Sequence, residues 1–254
     1  MFFIPDYVQL QLNHFKKSLN HLVNGFITYG HQINMNGIIF DFDGVLVDSM
    51  PAHYKAWRTA FDEVCSLHLE EKSIYLLEGM KGIDIVNEIF KKFNYTETSK
   101  AQEVVNRKNE IFRPSIKSIR PYEGAADINS GLACIKGIVS GSAKNDLIAL
   151  HTQCFHDSTF NFLLTGDDIK YGKPNPQGFQ LFLDKSKLDP KKVLVVENSP
   201  LGARASINAG LKVIVVLNNS PLTPDDFDHN GIEDFYLQTK DIVEPLRHWC
   251  ANGL

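Results

Sequence analysis

Cysteine and tryptophan are scarce in this chain of 254 residues, with four of the first and two of the second. Cys65, Cys134, Cys154 and Cys250 lie far apart, with no C-x-x-C pair and no His/Cys cluster at zinc-ligand spacing. That excludes a disulfide-stapled scaffold and a structural zinc site, and the four read as free thiols of an intracellular protein. No stretch approaches the ~18–20 apolar residues that span a bilayer, so no membrane partner is expected. The start, Met1-Phe2-Phe3-Ile4-Pro5-Asp6, lacks the basic opening and apolar run of a secretory signal, and the expected location is the cytoplasm. Charge of one sign is not in excess either: Lys and Arg number 26 against 30 Asp and Glu, a formal net charge of −4. Nothing in that balance attracts a phosphate backbone, so nucleic acid is excluded as a partner. There are no internal repeats and no low-complexity segments.

What is present is an ordinary globular composition, 43% hydrophobic and 22% charged, in a chain long enough to bury a large core without staples. Five short apolar runs stand out: Gly37-Ile38-Ile39-Phe40-Asp41, Gly137-Ile138-Val139-Ser140, Phe160-Asn161-Phe162-Leu163-Leu164, Val193-Leu194-Val195-Val196-Glu197 and Lys212-Val213-Ile214-Val215-Val216. Near-continuous runs without polar alternation suit strands covered on both faces, hence a parallel sheet. Helix-length stretches lie between them, at Asn145 to Phe155, Pro176 to Lys187 and Gly202 to Ala209. The expected fold is therefore α/β: a Rossmann-like core of five main parallel strands, in residues 37–50 and 121–254. The rhythm breaks between residues 51 and 120. There Ala56, Trp57, Ala60, Phe61 and Val64 form one helical stripe and Ile83, Val86, Ile89 and Phe90 another. This predicts a helical domain inserted after the first strand. Residues 1–36 stand apart. The stripe Phe15, Leu19, Leu22, Val23, Phe26 predicts an added helix docked on the domain or on a second subunit, the alternative being an extension ahead of a start at Met35. A monomer or a homodimer is expected.

In open α/β sheets ligands bind at the carboxyl ends of the strands. The polar residues ending these strands are Asp41 and Asp43 after the first, Ser140 after the second, and Glu197 with Asn198 after the fourth. Lys173 follows the third, within Gly172-Lys173-Pro174-Asn175-Pro176. Carboxylates gathered in one crevice repel one another and need a cation. Oxygen-only ligands of this kind suit Mg²⁺.

Asp41-Phe42-Asp43-Gly44-Val45-Leu46-Val47-Asp48-Ser49 resembles the first motif of the haloacid dehalogenase superfamily of phosphotransferases. Ser140 matches the second motif, Lys173 the third and Glu197-Asn198-Ser199 the acidic fourth, in the family's order. The resemblance runs from about Gly37 to the C-terminus. It is nearest to the β-phosphoglucomutase-like phosphatases, which carry a helical cap after the first strand. It implies that Asp41 is a nucleophile that forms an aspartyl-phosphate, and that Asp43 protonates the leaving alcohol and then activates water. It also implies that Ser140 and the Gly141 amide bind phosphoryl oxygens, and that Lys173 with Mg²⁺ offsets the charge. The metal set it implies is Asp41, Asp43 through its backbone carbonyl, Glu197 and Asn198. Dehalogenases and phosphonate-cleaving relatives lack an acid at the position of Asp43, so its presence favours transfer from an oxygen ester.

Asn198 departs from the Glu-Asp or Asp-Asp of the family pattern: its amide ligates a metal without charge, which leaves Glu197 as the expected acidic ligand. His53 stands at the cap-hinge histidine of the mutase, and Leu77-Glu78-Gly79-Met80-Lys81-Gly82 resembles the cap's specificity segment. The mutase has lysine at the position of Glu78 and arginine at that of Gly82, to hold a second phosphate. Glu78 and Gly82 thus disfavour mutase activity, with Lys81 left as a substrate-binding cation. The expected activity is Mg²⁺-dependent hydrolysis of a small phosphorylated metabolite such as a sugar, polyol or glycolate phosphate. The alternatives are a β-phosphoglucomutase and a non-catalytic sensor of phosphorylated ligands. Bland readings stand beside these: Ser140 as a helix cap, His53 as a packed helix histidine, Asp48 as a hinge residue, Asp167 and Asp168 as solvated loop acids.

Overall fold

The computed structural model describes residues 35–251, and the expected N-terminal helix lies outside them. Six parallel strands form one sheet in the order β3-β2-β1-β4-β5-β6. They are β1 (Gly37–Phe40), β2 (Ile135–Val139), β3 (Phe162–Leu164), β4 (Val193–Glu197), β5 (Lys212–Val216) and β6 (Ile232–Tyr236). Each of the five expected strands is present, β4 and β5 with the expected bounds, and β2 begins two residues earlier than its apolar run. The five-strand expectation is corrected by β6, Ile-Glu-Asp-Phe-Tyr, which pairs only with β5. An edge strand is partly solvated, so its sequence can carry acids, here Glu233 and Asp234 side by side, and the search for continuous apolar runs passes over it.

β1 lies between β2 and β4, with Phe40 opposite both Ile138 and Val196. The sheet is covered on both faces, and β1 shows the reason in its pleat. Ile38 and Phe40 face a core with Ile128, Leu147, Leu150 and Leu246. Ile39 faces the other, with Phe179, Phe182, Ala203 and Ala205. The first cover is α5 (Ala125–Gly131), α6 (Lys144–Cys154) and α9 (Val243–Ala251); the second is α7 (Gln177–Ser186) and α8 (Pro200–Asn208).

Between β1 and β2 the chain forms α1 (Met50–Cys65), α2 (Glu71–Tyr75), α3 (Gly82–Lys92) and α4 (Ala101–Phe112). These helices have their own core, in which Trp57, Ala60 and Phe61 of α1 meet Val86, Ile89 and Phe90 of α3 and Val104 of α4. Pro51 at the second position of α1 sets its first turn without losing a helical hydrogen bond. No helix among the described residues is long and apolar enough to cross a membrane.

Candidate active site

The strand order reverses at β1, and the crevice at its carboxyl end is where the polar strand ends meet. Main-chain bonds from Asp41 N–H to the Val196 carbonyl (2.9 Å) and from Ser140 N–H to the Leu164 carbonyl (3.0 Å) continue the ladder past the strands. They leave Asp41, Ser140 and Glu197 at one level. Gly44, at φ +77°, turns the chain back after Asp43, and the Asn218 side chain ties its carbonyl down at 2.8 Å.

Lys173 is the pivot. Its side chain, 4% exposed, donates to Asp41 on one side and Glu197 on the other. Its ammonium is held charged well above the usual lysine range: burial opposes this, and the two carboxylates prevail. Burial, with Glu197 and Asp43 nearby, pushes the Asp41 carboxyl up to about 8 against the pull of Lys173. Asp43 goes the opposite way. Burial would raise it, but His53, Ser49 and Ser142 hold it well below the carboxylate range. Ser49 Oγ donates to its Oδ1 at 2.5 Å and Ser142 Oγ to its Oδ2 at 2.7 Å, and His53 Nε2 lies 3.2 Å from Oδ1. His53 is stacked on Phe112 at 3.9 Å between ring centroids, and burial first, then Lys108, keep its ring below the usual histidine pKa.

Ser140 Oγ accepts from Ser142 N–H at 3.1 Å and lies 3.5 Å from Asp43 Oδ2. Gly141 is needed as glycine: a Cβ there would stand 2.5 Å from the Gly79 carbonyl, on the segment between α2 and α3. That carbonyl accepts the Lys173 N–H at 3.2 Å, so the helical layer touches the site through its backbone. Lys81 lines the cavity, but its ammonium donates to the Ile169 carbonyl at 3.0 Å.

Glu197 differs from the expectation of an acidic metal ligand. Its Oε1 is taken by Lys173, and its Oε2 accepts from the Asn198 and Ser199 amides and the Ser199 hydroxyl. A carboxylate at 0% exposure must have its lone pairs satisfied. The start of α8 supplies the donors, which turns Glu197 toward Lys173 and its own helix.

Glu78 enters the site instead. It is 7% exposed, its Oε2 accepts the Asn198 amide N–H at 2.7 Å, and its Oε1 has no hydrogen-bond partner. Asn198 Oδ1 is likewise buried without a partner. Burial and the neighbouring Asp41 push the Glu78 carboxyl well up. Two orphaned buried oxygens beside Asp41 are what a hard divalent cation would satisfy. Among the described residues no three His, Cys, Asp or Glu side chains form a metal cage by themselves. Asp41, Asn198 and Glu78 fit such an ion.

A cavity of about 390 Å³ opens on Asp41, Asp43, Ser140 and Gly141 and is roofed by Trp57, Ile83 and Val105. Lys108 of α4 lies in it, 8% exposed, its ammonium over the rings of Phe112 (4.5 Å) and Trp57 (5.4 Å). Burial lowers its pKa to about 8. Sequence reasoning passed over Ser142, Lys108 and the inward role of Glu78. The signal for Lys108 was available: with Val104 and Phe112 it shares one face at i, i+4, i+8, a cation in an apolar register.

The family model described as haloacid dehalogenase-like hydrolase matches residues 38–216. A phosphorylated carbohydrates phosphatase of Thermotoga maritima is 25% identical over 182 residues, covering 71% of this chain and 84% of the relative. The β-phosphoglucomutase of Bacillus subtilis is 24% identical over 225 residues, 84% of this chain and 94% of the relative. Among solved structures, a Bacteroides vulgatus protein provisionally assigned as a β-phosphoglucomutase superposes with a TM-score of 0.75 at 26% identity. The match covers 93% of this chain and 97% of that one.

Proposed function

Because the chain belongs to the haloacid dehalogenase-like hydrolase family, we propose that it is a divalent-metal-dependent phosphatase acting on a small phosphate monoester, with a sugar or polyol phosphate as the favoured class. The observation that carries this reading is Lys173 pinned between Asp41 and Glu197 while Asp43 sits in the same crevice on its own set of donors. The phosphatases of phosphorylated carbohydrates and of fructose 1-phosphate among its relatives support the substrate class.

In this reading Asp41 attacks phosphorus and the ester P–O bond breaks, leaving an aspartyl-phosphate. Asp43, ionised on its three donors, takes up a proton from water as it leaves them and delivers it to the departing alkoxide. It then takes one from the water that attacks the phosphoryl group, which returns Asp41 and releases phosphate. Each hydrogen bond from Ser49, Ser142 or His53 that Asp43 gives up raises its basicity, so its swing toward the substrate prepares it for proton transfer. Ser140 and the Gly141 amide hold phosphoryl oxygens, and Lys173 keeps a positive charge beside the nucleophile. Mg²⁺, the favoured metal, supplies charge neutralisation when bound, with Asp41, Asn198 and Glu78 as its side-chain ligands. The helices of residues 51–120 act as the cap that excludes water. Glu78, bonded to Asn198, offers a carboxylate where a second phosphate would need a cation, which weighs against the mutase.

The direct test is phosphate release from a panel of sugar, polyol and glycolate phosphates with Mg²⁺, with conversion of β-glucose 1-phosphate followed in parallel. Release that stops with EDTA supports the reading; isomer conversion without release overturns it in favour of the mutase.

The assigned ligands give a second expected result. Glu78→Gln should weaken Mg²⁺ binding about 10–100-fold, as loss of a charged partner at a metal does. Adding Asn198→Asp to that variant should restore most of the affinity, because the carboxylate then comes from the core. Calorimetric titration of Mg²⁺ into the full chain measures both; equal affinity in the wild type and Glu78→Gln removes Glu78 from the shell.

Lys108 gives a third. It lines the cavity, and burial lowers its pKa to about 8. Its charged form binds the oxygens of the substrate, so KM should rise roughly tenfold between pH 7 and pH 9, where the phosphate itself no longer titrates. Lys108→Met should have a high KM that does not change over that range. A wild-type KM that is flat with pH would remove Lys108 from substrate binding.

A further inference from the structure

Glu78 and Asn198 belong to different parts of the fold. Glu78 lies between α2 and α3, among the helices inserted after β1, whereas Asn198 follows β4 of the sheet. The 2.7 Å bond from the Asn198 amide to Glu78 Oε2 therefore crosses from one part to the other. One residue on, the Gly79 carbonyl accepts the Lys173 N–H at 3.2 Å, a second crossing at the same place. Gly79 sits at φ +86°, and a Cβ there would overlap the Lys173 side chain, so the two parts meet here without room to spare. Glu78, Asn198 and Lys173 are all buried. Two ion pairs also cross, Lys72 to Asp226 at 2.8 Å and Arg113 to Asp146 at 3.0 Å. Their basic partners are 44% and 57% exposed, and exposed ion pairs hold little.

Each partner of the buried crossing keeps one oxygen without a hydrogen bond. These are Glu78 Oε1 on the helical side and Asn198 Oδ1 on the sheet side. Seating Glu78 also brings its carboxylate up to Asp41 and Glu197, which already share the one ammonium of Lys173. Like charges oppose that approach. A divalent cation held by Asp41, Asn198 and Glu78 reverses the sign, because each oxygen then gains from the ion between them.

We propose that Glu78 completes the ligand set of the divalent cation only while the helices of residues 51–120 lie on the core, so that metal binding and closure of this cap drive one another. The proposal rests on the metal-dependent reading above. Linkage sets its size: if Glu78 contributes about 10–100-fold to the affinity for the ion, the bound ion shifts the closing equilibrium by the same factor. A substrate that closes the cap tightens the ion by the same route. The water-excluding compartment then forms with the ion in place and loosens without it.

The Lys173 amide reports this joint, since its bond to Gly79 breaks when the cap lifts. Its hydrogen exchange is followed by NMR in the full chain, with and without saturating Mg²⁺, under conditions where the rate follows the opening equilibrium. The Ser140 amide, bonded to the Leu164 carbonyl within the sheet, tracks opening of the core itself. In the wild type Mg²⁺ should slow exchange at Lys173 about 10–100-fold. Glu78→Gln should lose this slowing even at Mg²⁺ concentrations that saturate it. Glu78→Gln/Asn198→Asp, whose carboxylate sits on the core side, should bind Mg²⁺ and leave exchange at Lys173 unchanged. Slowing that persists undiminished in either variant overturns the joint, as does Mg²⁺ binding to the wild type without slowing. So does a wild type in which Lys173 and Ser140 exchange at one rate, since the crossing then opens only with the sheet. A wild type that binds no Mg²⁺ by calorimetry overturns the metal-dependent reading and the joint with it.

Discussion

Asp41→Asn should abolish phosphate release, by at least about 10⁴-fold, as removal of a covalent nucleophile does, while the protein stays folded. The fold should survive because what Asp41 gives the sheet is its main chain, the N–H bonded to Val196. The replacement has the same shape, and its amide oxygen can still accept from Lys173, which keeps Glu197 as its second partner. Burial would even favour the neutral side chain, since the native carboxyl is pushed up to about 8. Activity has no such substitute: an uncharged amide oxygen is too weak a nucleophile to displace the alcohol and form the acyl-phosphate bond. Steady-state phosphate release with circular dichroism as the folding control decides the matter. Turnover within tenfold of the wild type would remove Asp41 as the nucleophile. A wild type that binds phosphate esters but turns none over would favour the sensor.

The strands that carry the site were legible because burial on both faces writes them as unbroken β-branched runs, and Asp41, Ser140 and Glu197 could be read as their polar ends. β6 escaped for the converse reason, its edge position permitting Glu233 and Asp234 in the strand. Within the site, position along the chain identified which residues gather but not which way each side chain turns. Glu197 was expected to face a metal. The amides at the start of α8 take its Oε2, a contest between a cation and backbone donors that spacing does not record. Glu78 shows the same limit from the other side. Its substitution was readable as evidence against a second phosphate. Its contact with Asn198, 120 residues away, depends on how the helices between β1 and β2 lie over the sheet. Lys108 could have been found from the sequence, since a cation in the apolar register of a helix needs a reason.

Lys173→Met should be the most destabilising single change at the site, about 3–5 kcal/mol, the usual cost of removing one partner from a buried ion pair. Methionine nearly fills the space, so the loss is electrostatic: Asp41 and Glu197 remain buried, at 3% and 0% exposure, with no ammonium between them. The pH dependence follows from the sign of the carboxyl shift. A buried carboxyl whose pKa is raised on folding binds its proton more tightly in the folded state, so it costs nothing below its unfolded value. It costs progressively more as pH rises toward the folded value, about 8 for Asp41 even with Lys173 present. Up to that value the wild type carries the same cost at Asp41, so the deficit of Lys173→Met should widen as pH rises from 8 to 10, as read by urea unfolding of the metal-free protein at both. Adding Glu197→Gln should recover part of the lost stability at pH 10, because it removes one of the two stranded charges. It should recover none of the activity, since no cation then stands beside the nucleophile. A deficit that does not change with pH would mean that Lys173 supports the fold by packing, as its ammonium 5.6 Å from the Phe179 ring centroid would allow, and that the carboxylates around it are neutral throughout.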